Sequence, residues 1–272
     1  AESWLRSFPR RYSVEIFSLN SNEQIPVIGL GTWMLTGEDC TTAVSKALDM
    51  GYTHIDTALV YENQPEIAVA IKNFERSKLF ITSKIFRDDL HYDQVRKATD
   101  RILNELQTDY LNLLLIHWPN KDVPIDETLE AFKFLLEKKI IRSFGVSNFT
   151  EDHIKKALSA KKITISNNQV EFHPYLYKKN LLEYCLEQNI ILTAYSPLLR
   201  SKILKDQVIT KIAKKYNKTV AQVTLRWMIQ KNIVVIPKAS TSEHLSENLG
   251  CLGWKLEDDD CARIDKLNKN YR

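Results

Sequence analysis

Glycine is scarce in this sequence, with 7 residues among 272, whereas ordinary usage of about 7% would give about 19. Turns therefore cannot depend on glycine throughout. Long apolar runs are also missing, because no segment approaches the roughly 18 residues that a membrane-spanning helix needs. Residues 1–6 carry charge and no apolar core, which argues against a secretory signal. We therefore expect a cytoplasmic protein that has no membrane partner.

Closely spaced cysteines and strong net charge are absent as well. No C-x-x-C pair occurs, which excludes the usual zinc and redox motifs and favours reduced thiols. The four cysteines are Cys40, Cys185, Cys251 and Cys261. The net charge is +4 and is spread along the chain, and the local cluster Lys211, Lys214 and Lys215 is typical of a solvated helix face. The sequence thus predicts neither a metal site nor a nucleic-acid partner.

Short apolar runs rich in β-branched residues alternate with helix-like segments. Eight runs are predicted as strands, at residues 25–30, 54–58, 79–85, 111–118, 141–146, 168–172, 190–195 and 234–237. Apolar residues with helical spacing follow Asp93, Asp126 and Thr219, and Gly51 stands where a glycine commonly ends a helix. Eight strand–helix repeats in about 250 residues predict an α/β fold, the closed (β/α)8 TIM barrel.

An open doubly wound sheet is the alternative architecture. It would need a glycine-rich phosphate turn after its first strand, and Gly29-Leu30-Gly31 stops after G-x-G. Segments 14–17 and 25–27 flank Asn20-Ser21-Asn22, which predicts a β-hairpin before the barrel. We expect this hairpin to close the bottom of the barrel. Because no linker divides the chain, we predict one domain over residues 1–272, with residues 1–13 as an N-terminal extension.

Reactive side chains of a barrel enzyme lie at the carboxyl ends of its strands. Three successive predicted strands supply Asp56, Lys84 and His117 at those ends, and Tyr61 follows Asp56 closely. Each residue alone is more often structural. A buried lysine, however, needs a partner, and Asp56 at the adjacent strand end is the natural one. The combination therefore indicates a reactive site.

These residue types suit the protonation of an oxygen atom. The cation of Lys84, held by Asp56, is expected to lower the pKa of Tyr61 and so make the phenol a usable proton donor. His117 could hold a carbonyl oxygen against that phenol. The set offers neither a strong nucleophile nor metal-ligand spacing. Reduction of a carbonyl group by an external hydride donor is the reaction that fits.

The motifs in this order resemble those of the aldo-keto reductase family, from about residue 14 to residue 268. Gly51-Tyr52-Thr53-His54-Ile55-Asp56-Thr57-Ala58 with Tyr61 and Asn63 is similar to the family's Asp/Tyr signature. Ile81-Thr82-Ser83-Lys84 and Leu114-Leu115-Ile116-His117-Trp118-Pro119 resemble its lysine and histidine motifs. Segments 145–149, 168–174, 194–198 and 236–238 resemble regions that contact the cofactor.

The resemblance implies an NAD(P)H-dependent oxidoreductase that reduces aldehydes or ketones, with NADPH preferred and NADH possible. Tyr61 would be the proton donor, Asp56 and Lys84 would tune it, and His117 would orient the carbonyl. Residues expected to contact the cofactor are Thr32, Trp33, Asp56, Ser147, Asn148, Gln169, Tyr195, Ser196, Pro197, Leu198, Lys238, Ala239, Ser240, His244, Glu247 and Asn248. The apolar substrate pocket would be formed by Trp33, Phe86, His117 and Trp118. A monomer is also implied.

Several positions depart from the family pattern. Ala239 and His244 stand where the family usually has a serine and an arginine beside the ribose 2′-phosphate. Losing that hydroxyl and that permanent cation is expected to weaken the preference for NADPH. Glu62 and Leu199 stand where the family commonly has glycine. The segment from 198 to 205 is short, which is expected to loosen the grip on the pyrophosphate.

Two other functions remain open from the residues. A non-metabolic cofactor-binding, structural or regulatory protein can share the barrel, since a fold does not prove a function. Such a protein would have no need to keep Asp56, Tyr61, Lys84 and His117 together. An isomerase or aldolase that uses Lys84 as a Schiff base would need a glycine-containing phosphate loop near the last strand. The segment 236–240 contains no glycine.

Overall fold

The computed structural model describes residues 15–271, and they begin with an antiparallel hairpin. Strand β1 (Ile16–Ser18) pairs with β2 (Gln24–Pro26), and Phe17 lies opposite Ile25. The connecting turn is closed by the amide of Asn22, which donates to the carbonyl of Leu19 at 2.9 Å. The predicted hairpin is thus confirmed. Val14 and the predicted extension at residues 1–13 lie outside the described residues.

Eight parallel strands follow, and each pairs with its neighbours in chain order. They are β3 (Leu30–Gly31), β4 (His54–Asp56), β5 (Phe80–Ile85), β6 (Leu111–Ile116), β7 (Ile141–Ser147), β8 (Asn167–Glu171), β9 (Ile191–Tyr195) and β10 (Ile233–Val235). The two end strands meet around Val235, whose amide donates to the carbonyl of Val27 and whose carbonyl accepts from the amide of Gly29, both at 2.9 Å. The sheet therefore closes on itself, as the eightfold alternation predicts.

The first predicted barrel strand, residues 25–30, is wrong as a single element. Ile25 and Pro26 belong to the hairpin, whereas Ile28 bridges Val235 and the regular barrel strand begins only at Leu30. The run is apolar throughout because Ile25, Val27 and Leu30 are all buried. A continuous apolar pattern does not reveal that the chain changes its pairing partner within it.

Helices connect the strands and cover the outside of the barrel. They are α1 (Gly37–Asp49), α2 (Gln64–Ile71), α3 (Tyr92–Leu106), α4 (Ile125–Glu137), α5 (Glu151–Ser159), α6 (Lys179–Glu187), α7 (Gln207–Tyr216), α8 (Val220–Ile229), α9 (Ser242–Leu249) and α10 (Asp258–Asp265). Thr219 begins α8 with a capping box formed with Gln222, and Gly51 follows α1 with φ of +101°. Asp93 and Asp126 lie in the first turns of α3 and α4, where a carboxylate favours the helix dipole.

The hairpin closes the amino-terminal end of the barrel, as predicted. Leu19 and Ile25 pack in one buried cluster with Phe80, Leu113 and Val234. Hydrogen bonds fix its turn to the strand starts: Asn20 Nδ2 donates to the carbonyls of Ile165 at 2.9 Å and Asn189 at 3.0 Å. Because this end is filled by apolar side chains, the carboxyl ends of the strands are left for chemistry.

Glycine is required at one position of the barrel and is replaced by other residues at most of the left-handed positions described. A β-carbon at Gly31 would lie 2.7 Å from the carbonyl oxygen of Ile236, so the closing seam of the barrel requires glycine there. Left-handed backbone positions, in contrast, are mostly occupied by other residues. Glu62 has φ of +53°, and the consecutive residues Leu199, Arg200 and Ser201 have φ of +47°, +48° and +70°. Such positions cost about 1 to 2 kcal/mol for residues other than glycine.

Candidate active site

A buried ion pair links the ends of β4 and β5. Lys84 Nζ lies 2.5 Å from Asp56 Oδ1, and it also donates to the carbonyl of Thr57 at 2.8 Å. The side chains of Lys84 and Asp56 are 0% and 2% exposed. Parallel pairing of the two strands sets this contact, since Asp56 lies opposite Thr82 and Lys84 follows two residues later on the same face. The partner predicted for Lys84 is therefore present.

Tyr61 completes the cluster from the short 3₁₀ turn after β4, Leu59–Tyr61. Its hydroxyl lies 3.4 Å from Lys84 Nζ, and the ammonium lies 5.0 Å from the centre of its ring. Glu62 ends this turn in the left-handed conformation. The side chain of Asn63, which accepts from the Thr57 hydroxyl at 2.8 Å, fixes the turn to the barrel rim.

Two opposing effects set the pKa of Tyr61. Lys84 lowers it, as expected from the sequence, but burial raises it by more, so the pKa lies above its ordinary value. Sequence reasoning did not include this effect of burial, in which desolvation of the phenolate outweighs the attraction of the ammonium. For Lys84 burial acts in the opposite direction and by itself would lower the pKa. Asp56 and Tyr61 raise the pKa of Lys84 above its ordinary value, so the ammonium stays charged.

His117 stands at the end of β6 beside this cluster. Its ring meets those of Tyr61 and Phe86 edge to face, with centroid distances of 5.8 Å in both cases. Burial and the nearby charge of Lys84 lower the pKa of His117 to about 3. The imidazole is therefore neutral at physiological pH and can donate one hydrogen bond. Asp56, Tyr61, Lys84 and His117 are the candidate catalytic residues, and we call this cluster the catalytic side.

A row of amide and hydroxyl groups extends from the catalytic side along the next strands. Gln169 Nε2, on β8, donates to Asp56 Oδ2 at 2.7 Å. The hydroxyl of Ser147 donates to the carbonyl of Gln169 at 2.9 Å, and Asn148 Nδ2 donates to the carbonyl of His117 at 3.1 Å. Tyr195, at the end of β9, donates its hydroxyl hydrogen to Asn148 Oδ1 at 2.8 Å. Residues from five strands, β4, β6, β7, β8 and β9, thus share one hydrogen-bonded polar surface.

Residues 27–269 match the model of the aldo/keto reductase family. The chain is 41% identical to glyoxal reductase of Bacillus subtilis over 257 residues, which are 93% of each chain. It is 38% identical to 9,11-endoperoxide prostaglandin H2 reductase of Trypanosoma cruzi, with 94% of this chain and 92% of that protein covered. A crystal structure of an aldo-keto reductase complexed with NADPH superposes with a TM-score of 0.91 at 31% identity, covering 96% of this chain and 90% of that one.

The chain belongs to the aldo/keto reductase family. It is accordingly a carbonyl-reducing oxidoreductase on the family's barrel. Within residues 15–271, no cluster of histidine, cysteine and carboxylate side chains could hold a metal ion. The helices in the same range are all too short or too polar to cross a bilayer.

A second region of this aldo/keto reductase lies between the loop after β3 and the loops after β9 and β10. We call Lys238, Ala239, His244 and the segment 199–201 the phosphate edge. Lys238 is exposed, and its ammonium reaches the carbonyl of Met34 at 3.4 Å. The guanidinium of Arg200 lies 5.3 Å above the ring of Trp33. Both contacts join the loop after β3 to the loops after β9 and β10.

The remaining residues predicted to hold the cofactor lie along the same edge of the reductase. Ala239 is buried and Ser240 is exposed. His244 is 67% exposed, and its Nδ1 lies 3.5 Å from Glu247 Oε2. Asn248 is buried.

Closer to the catalytic side, Thr32 donates its hydroxyl hydrogen to the carbonyl of Asp56 at 2.9 Å. Ser196 has φ of +49°, and Pro197 is buried next to the half-buried Leu198. Thr32 follows β3 and residues 196–198 follow β9, so all of them lie at the carboxyl rim of the barrel.

Three of the residues predicted to form the substrate pocket are aromatic side chains that follow barrel strands at the carboxyl rim. Phe86 is half-buried beside His117, whereas Trp33 and Trp118 are 45% and 41% exposed. Exposed tryptophans at the carboxyl rim are available to an apolar substrate.

Sequence reasoning assigned no positioning role to three groups. The carbonyl of Thr57 accepts from Lys84, and Asn63 Nδ2 donates to the carbonyls of Thr32 and Leu35, both at 2.9 Å. Arg200 was not expected to contact Trp33. Only Asn63 had a visible signal, as a polar residue two positions after Tyr61; a backbone carbonyl and an exposed arginine give none.

Proposed function

We propose that this chain reduces the carbonyl group of aldehydes or ketones with NADPH, and that Tyr61 donates the proton. The contact between Lys84, Asp56 and the Tyr61 hydroxyl carries this proposal, because a buried ammonium beside a phenol suits the phenolate that remains after proton donation. The reaction adds a hydride to the carbonyl carbon and a proton to its oxygen, which yields the alcohol.

When bound, the reduced dinucleotide supplies the hydride, and every other requirement falls on this chain. The neutral ring of His117 would donate a hydrogen bond to the carbonyl oxygen and aim it at the Tyr61 hydroxyl. As negative charge develops on that oxygen, Tyr61 would transfer its proton. An alkoxide is a far stronger base than a phenolate, so a phenol with a raised pKa still donates. Lys84 would stabilise the phenolate until solvent reprotonates it.

The polar surface next to the catalytic side fits a nicotinamide cofactor. The carboxamide of nicotinamide is both a donor and an acceptor, and Ser147, Asn148 and Gln169 offer both kinds of group within one bonded row. The ring of Tyr195, fixed through its hydroxyl to Asn148, would stack on the nicotinamide face. Thr32, Trp33 and residues 196–198 would line the ring and the pyrophosphate.

For the adenosine end we propose that Lys238 pairs with the 2′-phosphate of NADPH as a point charge. Ala239, Ser240 and His244 would surround it, and Glu247 and Asn248 would face the adenine. This assignment is supported by the ammonium of Lys238, which is exposed and makes a long hydrogen bond of 3.4 Å to the carbonyl of Met34. With an alanine at position 239 and a histidine at 244, we expect NADH to be used as well.

We further propose that residues 1–272 form one domain that acts as a cytoplasmic monomer, with no nucleic-acid or membrane partner. The cysteines Cys40, Cys185, Cys251 and Cys261 are all free thiols, which agrees with a reducing compartment. Buried apolar residues from all around the barrel belong to one large cluster, and this favours a single cooperative domain over separate units.

The test is the oxidation of NADPH, and separately of NADH, followed by absorbance with benzaldehyde and with a reactive dicarbonyl such as glyoxal. We expect turnover with NADPH exceeding that with NADH for at least one carbonyl. The absence of turnover with either cofactor across a panel of carbonyls would refute the proposal. Tight NADPH binding without any turnover would instead support the non-metabolic alternative.

A further inference from the structure

A cavity of about 590 Å3 lies on the helix side of β6, apart from the catalytic side. Leu113 and Leu115 face the barrel interior, and Ile116, which lines the cavity, faces the surrounding helices. The other walls are the loops after β5, β6 and β7, the first turn of α4 and the first two turns of α5. The volume is that of an ordinary small-molecule site, which spans about 300 to 1,000 Å3.

Hydrogen bonds between the walls hold this cavity in shape. Thr128, in the first turn of α4, donates its hydroxyl hydrogen to the carbonyl of Leu90 at 2.7 Å. Asn120 Nδ2 donates to the carbonyl of Arg87 at 2.9 Å, and Asn120 Oδ1 accepts from the amide of Asp122 at the same distance. A ligand would therefore enter a space that is already formed, without ordering its walls.

The cavity has an apolar floor and a charged rim. Leu90, Ile116, Val123 and Phe149 are buried and supply the floor. The exposed cations on the rim come from three separate segments, the loop after β5, the loop after β6 and α5. They are Arg87, Lys121 and Lys156. This division suits a ligand with an apolar body and one polar, negatively charged end.

The charge balance selects the class of anion. Two carboxylates, Asp88 and Asp122, also lie on the rim, so the formal sum with three cations is one positive charge. Arg87 approaches Asp88 only at 3.8 Å. Within residues 15–271 the ammonium groups of Lys121 and Lys156 have neither a hydrogen bond nor an ion pair. A monocarboxylate matches one excess positive charge, whereas the two negative charges of a phosphate dianion exceed it.

We propose that this cavity binds a small organic monocarboxylate with an apolar body, at a site separate from Tyr61. The apolar body would lie on Phe149 and Ile116, and the carboxylate would contact Lys121 and Lys156. Ile116 directly precedes His117, so the ligand would sit behind the strand end that presents the catalytic histidine. The inference does not depend on the proposed reduction, because it concerns binding alone.

The experiment is a calorimetric titration of 2-naphthoate into the chain without cofactor, repeated with the K121A/K156A double variant. Both lysines are exposed, so the variant should fold normally. We expect saturable binding to the parent and an affinity lower by about fivefold or more in the double variant, since two exposed charge contacts are lost. The neutral analogue 2-naphthylmethanol should bind more weakly than 2-naphthoate to the parent.

Lys155→Ala is the matched control, because Lys155 lies next to Lys156 on α5 but pairs with Glu151 at 2.6 Å and does not line the cavity. It should bind 2-naphthoate like the parent. Val123→Trp, which fills the cavity from its floor, should reduce the affinity while the thermal unfolding midpoint shows that the chain is folded. The proposal is overturned if 2-naphthoate does not bind, or if K121A/K156A and the parent bind it equally.

Discussion

On the catalytic side, Asp56 and Lys84 are buried and bonded to each other before any ligand arrives, whereas at the phosphate edge Lys238 and His244 are exposed and make only long contacts. The difference follows from where each charge lies. A buried ammonium must find its partners during folding, because leaving it unpaired costs several kcal/mol. An exposed ammonium is solvated by water, so it needs no protein partner and stays available to an anionic ligand.

The backbone shows the same contrast. Asp56 and Lys84 lie on regular strands whose hydrogen bonds fix them. At the phosphate edge, Leu199, Arg200 and Ser201 take up three consecutive left-handed conformations without a glycine among them. The fold itself thus fixes the catalytic side, so changing one of its residues should impair turnover or stability strongly. A substitution at the phosphate edge should instead change cofactor affinity by a small amount, independently of the other residues there.

The largest effect is expected from removing the proposed proton donor. Tyr61→Phe should lower kcat by about 10² to 10⁴-fold, which is the range for loss of a general acid. The affinity for NADPH should stay within about twofold, because the hydroxyl faces Lys84 and lies apart from the phosphate edge. Stopped-flow turnover and quenching of tryptophan fluorescence measure the two quantities. Retention of most of the activity would show that Tyr61 is not the donor.

Breaking the buried pair should destabilise the whole chain. Lys84→Met leaves the carboxylate of Asp56 buried with Gln169 as its remaining side-chain donor, which is expected to lower the free energy of unfolding by about 3 to 5 kcal/mol. The double variant D56N/K84M should recover most of that stability in urea unfolding but none of the turnover. Equal stability of Lys84→Met and the parent would contradict the view that folding depends on this pair.

The pH dependence of stability should report histidines whose pKa is lowered by burial. Burial lowers the pKa of His117 to about 3 and that of His54 to about 4, from 6.5 in the unfolded chain. Between these values the unfolded chain binds protons that the folded chain does not. The free energy of unfolding should therefore fall as the pH drops from about 6.5 towards 4. His117→Gln should make this fall shallower, because a glutamine side chain does not titrate. Urea titrations at half-unit intervals of pH measure the slopes.

The catalytic side could be predicted from sequence because its residues obey local rules. Asp56, Lys84 and His117 stand at the ends of apolar strands, and parallel strands bring such ends together. The pKa of Tyr61 could not be predicted, because its sign depends on how deeply the phenol is buried relative to its distance from Lys84. The balance between burial, which raises the pKa, and Lys84, which lowers it, can be judged only from the three-dimensional structure.

The fold was predictable in its repeat and less so at its seam. The strand–helix alternation predicts the barrel, but the division of residues 25–30 between the hairpin and β3 depends on long-range pairing with Val235. The contact of Arg200 with Trp33 and the cavity behind β6 likewise join segments far apart in the chain. No spacing along the sequence encodes them.

A smaller effect is expected at the phosphate edge. His244→Arg places a permanent cation six residues after Lys238, which should tighten NADPH by about threefold to tenfold through an exposed charge contact. NADH, which lacks the 2′-phosphate, should change by less than twofold. Fluorescence titrations of both cofactors give the ratio, and kcat should stay constant because His244 lies away from the catalytic side. Equal tightening of both cofactors would refute the assignment of this edge to the 2′-phosphate.

The smallest effect concerns the backbone strain at Glu62, in the turn after Tyr61. Glu62 is exposed and has φ of +53°, a conformation that glycine adopts without a steric penalty. Glu62→Gly should therefore raise the free energy of unfolding by about 0.5 to 1 kcal/mol, the strain relieved minus the extra flexibility of the unfolded chain. Lys72→Gly, at an exposed position with φ of −50°, should instead lower it. Urea unfolding compares the two variants. If Glu62→Gly and Lys72→Gly lower the free energy of unfolding equally, the left-handed backbone at Glu62 stores no strain.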